Sequence, residues 1–114
     1  MTERGNRSDM EGHRARLRAR YRAVGDAGLA DHELLELLLT HAIPRRDTKE
    51  LAKRLLTRFG SLSGVLEADA ESLEQVDGIG PAAATLVCLI RPLSIHLVTG
   101  KKPFDRRLLE PLYL

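Results

Sequence analysis

The chain is predicted to be all-α, a compact bundle of short helices, on three observations. Apolar residues recur at helical spacing in several segments, and no run alternates with the period of a strand. Good N-caps precede the periodic segments, and Gly or Pro follows most of them. Aromatics are only 4% of a composition rich in Leu and Ala, which suits close helix packing. At 114 residues there is material for one modest core.

The first dozen residues are polar and read as a frayed arm, residues 1–11. A helix from about Met10 to Val24 follows, with Met10, Leu17, Tyr21 and Val24 as its apolar stripe. Arg14, Arg18 and Arg22 flank one side of that stripe, and Arg16 and Arg20 the other. Gly25 and Gly28 break the pattern. Asp31 is the expected N-cap of a helix whose Leu34, Leu35, Leu37, Leu38 and Leu39 cover most of its circumference, making it the central element. Pro44 stops it. Asp47 and Glu50 resemble a capping box for a helix with the face Leu51, Leu55, Leu56 and Phe59, ended by Gly60. Ser61 and Asp69 cap two short helices. Pro81 opens a last helix, which Pro92 must end or kink, with a further helical segment up to Gly100. The tail, residues 100–114, holds two prolines and no clear period, and reads as a linker or extended arm.

Net charge is +2, unevenly spread. Residues 1–24 hold seven Arg against Glu3, Asp9 and Glu11, a balance of +4. Residues 45–58 hold six Lys or Arg against Asp47 and Glu50, again +4. Residues 59–90 have no Lys or Arg and five acids, a balance of −5. A polyanion is therefore drawn to the first two segments. The single Cys88 sits in an apolar run and suits a buried thiol in a reducing compartment. With no apolar leader, and no stretch long and apolar enough to span a bilayer, the expected location is cytoplasmic and no membrane partner is expected.

The informative stretch runs from Leu73 to Val87 through Asp77-Gly78-Ile79-Gly80-Pro81. Leu73 and Val76 face inward. Gly78 and Gly80 allow backbone angles other residues avoid and admit a close ligand. Ile79 pins the turn to the core, Ala84 is small where helices cross, and Val87 continues the buried stripe. A tight turn feeding a helix N-terminus presents free N–H groups to an anion such as phosphate, without reading sequence.

These residues resemble the helix-hairpin-helix family of DNA-binding motifs, at about 69–91. The order ELLELLLTHAIPRRDTKELAKRLLTRFGSLSGVL and then LEQVDGIG, preceded by HRARLRARYRAVG, is similar to the N-terminal domain of the RadC-like proteins over residues 12–99. The resemblance implies a module associated with DNA repair, in a family whose longer members carry a C-terminal JAB-type metallopeptidase-like domain built on an H-x-H pair. This sequence stops short of such a domain. His13, His32, His41 and His96 contain no such pair, so neither a metal site nor peptidase chemistry is expected. No nucleophile with its base, P-loop or cofactor motif is present, and no catalytic residue or cofactor is assigned. The family's DNA-binding hairpins often carry Lys or Arg after the second glycine, where Ala82, Ala83 and Thr85 stand. The expected contact set for the DNA backbone is Gly78, Ile79, Gly80, Ala82, Ala83, Arg14, Arg18, Arg22, Arg45 and Arg46. The alternative is a packing or protein-contact module that accompanies a JAB-type domain or a repair partner. Arg45 and Arg46 read equally as loop and cap.

Overall fold

The computed structural model describes residues 3–100, with side chains from Asp9 onward. The expected linker character of residues 101–114 lies outside the described residues. Among the described residues every regular element is helical: α1 (Glu3–Val24), a 3₁₀ turn (Asp26–Gly28), α2 (Asp31–Leu39), α3 (Thr48–Phe59), α4 (Leu62–Glu67), α5 (Ala70–Glu74) and α6 (Pro81–Thr99).

Local chemistry explains most of the boundaries. Asp47 accepts from the amides of Lys49 and Glu50 at 3.0 and 3.3 Å, Ser61 from Gly64 at 2.9 Å, and Asp69 from Ser72 at 2.8 Å. Gly60 takes the left-handed conformation (φ 87°) that ends α3, and its amide donates to the Leu56 carbonyl at 2.8 Å. Leu35 and Leu39 of α2 meet Leu51, Ala52 and Leu55 of α3, Val65 of α4, Leu73 of α5 and Ala83, Ala84 and Val87 of α6 in one core. Truncating any of these leucines to Ala should cost about 2–5 kcal/mol.

Four expectations are corrected. First, α1 starts at Glu3 rather than Met10, taking in the segment read as an arm. Of its expected stripe only Leu17 is buried; Tyr21 and Val24 are exposed. The helix docks through polar clasps instead, described below. Second, α2 is capped from Ala30, not Asp31. The Glu33 carboxylate turns back to accept the Ala30 amide at 3.0 Å, so a side chain inside the first turn replaces the expected cap. Third, α2 ends at Leu39, before Pro44, in a tightened turn where the amides of His41 and Ala42 bond three residues back. Fourth, α6 runs through Pro92 to Thr99. A proline removes one helical hydrogen bond, and here the helix continues on either side of the loss.

That continuity bears on the membrane expectation. By length and composition α6 could cross a bilayer, with a mean hydropathy of 1.6, so the sequence does hold one such stretch. Its first two turns, through Ala83, Ala84 and Val87, are core. Its last nine residues, 91–99, are all exposed.

Candidate nucleic-acid interface

The connection from α5 to α6 is tight. The Val76 amide donates to the Leu73 carbonyl at 3.1 Å and the Ile79 amide to the Val76 carbonyl at 3.0 Å, folding the chain back within four residues. Gly78 holds φ +100°, a region that side chains rarely enter. Ile79 is 5% exposed and anchors the turn in the core. Gly80 is extended (φ −95°, ψ −174°) and caps α6, with open space where its Cβ would be. The conformational requirement therefore falls on Gly78 alone. The expectation that Gly80 also needs left-handed angles is wrong.

Pro81 has no amide proton, and the first helical bond runs from Ala84 to the Gly80 carbonyl at 3.0 Å. The amides of Ala82 and Ala83 are thus first-turn donors left over by the helix geometry. These donors, with the positive end of the helix dipole, favour an anion. Ala82 is exposed, whereas Ala83, backbone included, is 2% exposed and packs in the core. Of the two leftover amides, only that of Ala82 belongs to an exposed residue.

Cations reach this turn from α3 and the loop before it. The Arg46 guanidinium donates to the Asp77 carboxylate at 3.2 Å, and a Cβ on Gly78 would sit 3.1 Å from its Cζ. Arg54 donates to the Asp77 carbonyl at 3.2 Å, and Arg58 to the Gln75 side chain at 3.1 Å. Arg58 also lies over the Phe59 ring, 5.8 Å from its centre. An open groove of about 590 Å³ between α3 and the turn is lined by Glu50, Lys53, Arg54, Arg58 and Asp77 among others. Three cations against two carboxylates leave it weakly positive. Lys53, Arg54 and Arg58 are absent from the sequence-derived set, although the 45–58 charge block and the one-turn spacing of Arg54 and Arg58 on α3 contained the signal.

The other predicted arginines behave differently. Arg14 is a structural clamp: its guanidinium donates to the carbonyls of Ile43, Pro44 and Arg46 at 2.6, 3.1 and 2.9 Å. It holds the α2–α3 loop and is not free for phosphate. Arg18 and Arg22 are exposed on α1, and Arg18 borders a small groove with Glu11, Thr40 and His41. Arg45 is exposed on the loop. Only Arg46 of the predicted basic residues meets Gly78.

Two more pairs dock α1. Glu36 of α2 is 2% exposed, and one carboxylate oxygen lies 2.8 Å from Nε2 of the half-exposed His13. Arg20 pairs with Glu33, whose carboxyl is held below its ordinary 4.5 by the Ala30 amide first and by Arg20 second. Glu36 is absent from the sequence-derived set of functional and structural residues. Among the described residues, no three His, Cys, Asp or Glu side chains converge as a metal site would require.

The fold and the turn together define a small helical module of the kind found at the N-terminus of a larger protein family. Residues 11–85 match the UPF0758 N-terminal family model, and the chain belongs to that family, the RadC-like group whose N-terminal domain the sequence resembles. It is similar to a UPF0758 protein of Fusobacterium nucleatum, with 43% identity over 106 residues. The match takes in 90% of this chain but 46% of the relative, so the chain spans about half of that protein's length. No solved structure matches.

Proposed function

We propose that this chain is a non-catalytic DNA-binding module in which Gly78–Gly80 and the start of α6 act as a helix-hairpin-helix. It grips the duplex backbone without reading sequence. The observation that carries the reading is the exposed Ala82 at the start of α6, whose amide the helix leaves over, following a turn that the Arg46 and Arg54 guanidinium groups reach at Asp77. A phosphate at the helix start would accept from the Ala82 amide, and Arg46 could exchange its exposed Asp77 carboxylate for it. Such contacts position a backbone and carry no base information. The reading includes a role associated with DNA repair, which the resemblance to RadC-like proteins implies, and a cytoplasmic location.

The test is fluorescence anisotropy with a labelled 20-base-pair duplex at low salt. Replacing Lys53, Arg54 and Arg58 together with Ala should weaken binding by about tenfold or more, since each lost phosphate contact removes a counterion-release contribution. Ala82→Lys, which adds a charge beside the helix start, should strengthen it. If neither change moves the affinity, the hairpin does not touch phosphate. The chain is then better read as a protein-contact module that accompanies a longer, enzyme-bearing chain or a repair partner.

A further inference from the structure

Residues 44–46 lie in the connection between α2 and α3. Pro44 has no amide proton, and among the described residues no backbone–backbone hydrogen bond involves residues 44–46. A connection without turn bonds of its own is held only by the side chains that reach it. Here one side chain does most of that. The Arg14 guanidinium donates to the carbonyls of Ile43, Pro44 and Arg46, which lie 29 to 32 residues further along the chain. Its Nε is buried without an acceptor, so every hydrogen bond of the group goes to this one segment. The planar fork of arginine suits such a cluster of carbonyls, and the single ammonium of lysine does not.

Arg46 is tied at both ends. Its carbonyl accepts from Arg14 at 2.9 Å, while its own guanidinium donates to the Asp77 carboxylate at 3.2 Å. Gly78 makes room for this approach. A Cβ there would lie 3.1 Å from the Arg46 Cζ and 3.2 Å from its Nε, inside the separation of an unstrained contact. The Asp77 side chain is 86% exposed, and a solvated ion pair holds a long side chain only weakly. The place of Arg46 beside the turn is therefore set chiefly from its backbone, and its backbone is held by Arg14. Arg54 reaches the same turn differently. It stands within α3, whose first turn is capped by Asp47, and owes nothing to Arg14.

We propose that Arg14 is a positioning residue for the hairpin, acting through the Arg46 backbone to hold the Arg46 guanidinium against Gly78. Its consequence for duplex affinity rests on the function proposed above; the placement of Arg46 does not. The test is a double-mutant cycle on the full chain, read in two ways. In nitrogen–proton correlation spectra without DNA, Arg14→Lys should shift the amides of Gly78 and Ile79, and that shift should shrink by about threefold or more in an Arg46→Ala background. The amides of Ala84 and Val87 should stay in place, and Arg16→Lys, at an exposed arginine of the same helix, should leave Gly78 and Ile79 unmoved. In duplex anisotropy at low salt, Arg14→Lys should weaken binding about threefold in the wild-type and Arg54→Ala backgrounds, and by less than about 1.5-fold in the Arg46→Ala background. A merely structural role would carry the same loss into every background. Unmoved Gly78 and Ile79 amides, or an equal loss of affinity in the Arg46→Ala and Arg54→Ala backgrounds, would overturn the proposal. If the unmodified chain binds no duplex while the amides shift as stated, the positioning role stands and the DNA-binding reading falls.

Discussion

Replacing Gly78 with Ala separates the two glycines of the turn, which look equivalent in the sequence. At Gly78 the backbone sits at φ +100°, where an L side chain costs about 1–2 kcal/mol. The new Cβ would also lie 3.1 Å from the Arg46 Cζ and 3.2 Å from the Leu51 Cδ1. Arg46 is flexible and can withdraw, giving up Asp77, but Leu51 is 1% exposed and fixed in the core. Local overpacking of that kind adds about 1 kcal/mol or more, for a total near 3 kcal/mol. With a urea dependence of about 1.5 kcal/mol per molar, the unfolding midpoint should fall by about 2 M. Gly80→Ala meets nothing within 4 Å and needs no unusual angle. Its small loss as a cap is offset by reduced freedom of the unfolded chain, so the midpoint should move by less than about 0.5 M. Circular dichroism at 222 nm against urea reads both. Equal shifts for the two variants would refute the assignment of the conformational requirement to Gly78.

Three further outcomes follow from the clasps and caps. Arg14→Lys keeps the charge but cannot span three carbonyls; it should cost about 1–2 kcal/mol and speed amide exchange in residues 40–47, while Arg18→Lys changes neither. Glu33, with its carboxyl held below 4.5, contributes stability that is present above that pH and lost as pH falls through the folded value. The difference in urea midpoint between wild type and Glu33→Gln should therefore shrink below about pH 4.5, and a constant difference down to pH 2 would contradict the pairing. Ser61→Ala removes the acceptor for the Gly64 amide and should cost about 1 kcal/mol in the same urea assay.

Much of the architecture was legible because it is written in local chemistry. Asp47, Ser61 and Asp69 cap helices through their own side chains, Gly60 ends one, and Pro81 begins one; each needs only a few neighbouring residues to act. The inward positions Leu73, Val76, Ile79, Ala84 and Val87 followed from spacing, and all five are buried. What was not legible depends on partners distant in sequence. Nothing near Arg14 announces that its acceptors lie 29 to 32 residues away, so its place in an Arg-rich helix suggested phosphate contact instead. Glu33 displaced Asp31 from the cap role because a glutamate one turn in can reach back to the free amide. The hairpin looked bare of cations because charge was counted along the chain, whereas α3 packs beside the turn and brings Arg54 and Arg58 to it. Pro92 suggested an end or a kink followed by a further helical segment to Gly100, and α6 continues past it to Thr99 without ending.

The most direct test of the proposed function is the salt dependence of duplex binding by the unmodified chain. Anisotropy titrations between 50 and 200 mM salt, on two duplexes of unrelated sequence, give the slope of log K against log salt. At about 0.9 per phosphate contact, backbone contacts at Gly78–Gly80 and the α3 cations predict a slope of about −2 to −4, the same for both duplexes. Binding absent at 50 mM salt, or a slope near zero, would contradict a DNA-backbone module, and so would a strong preference between the two sequences.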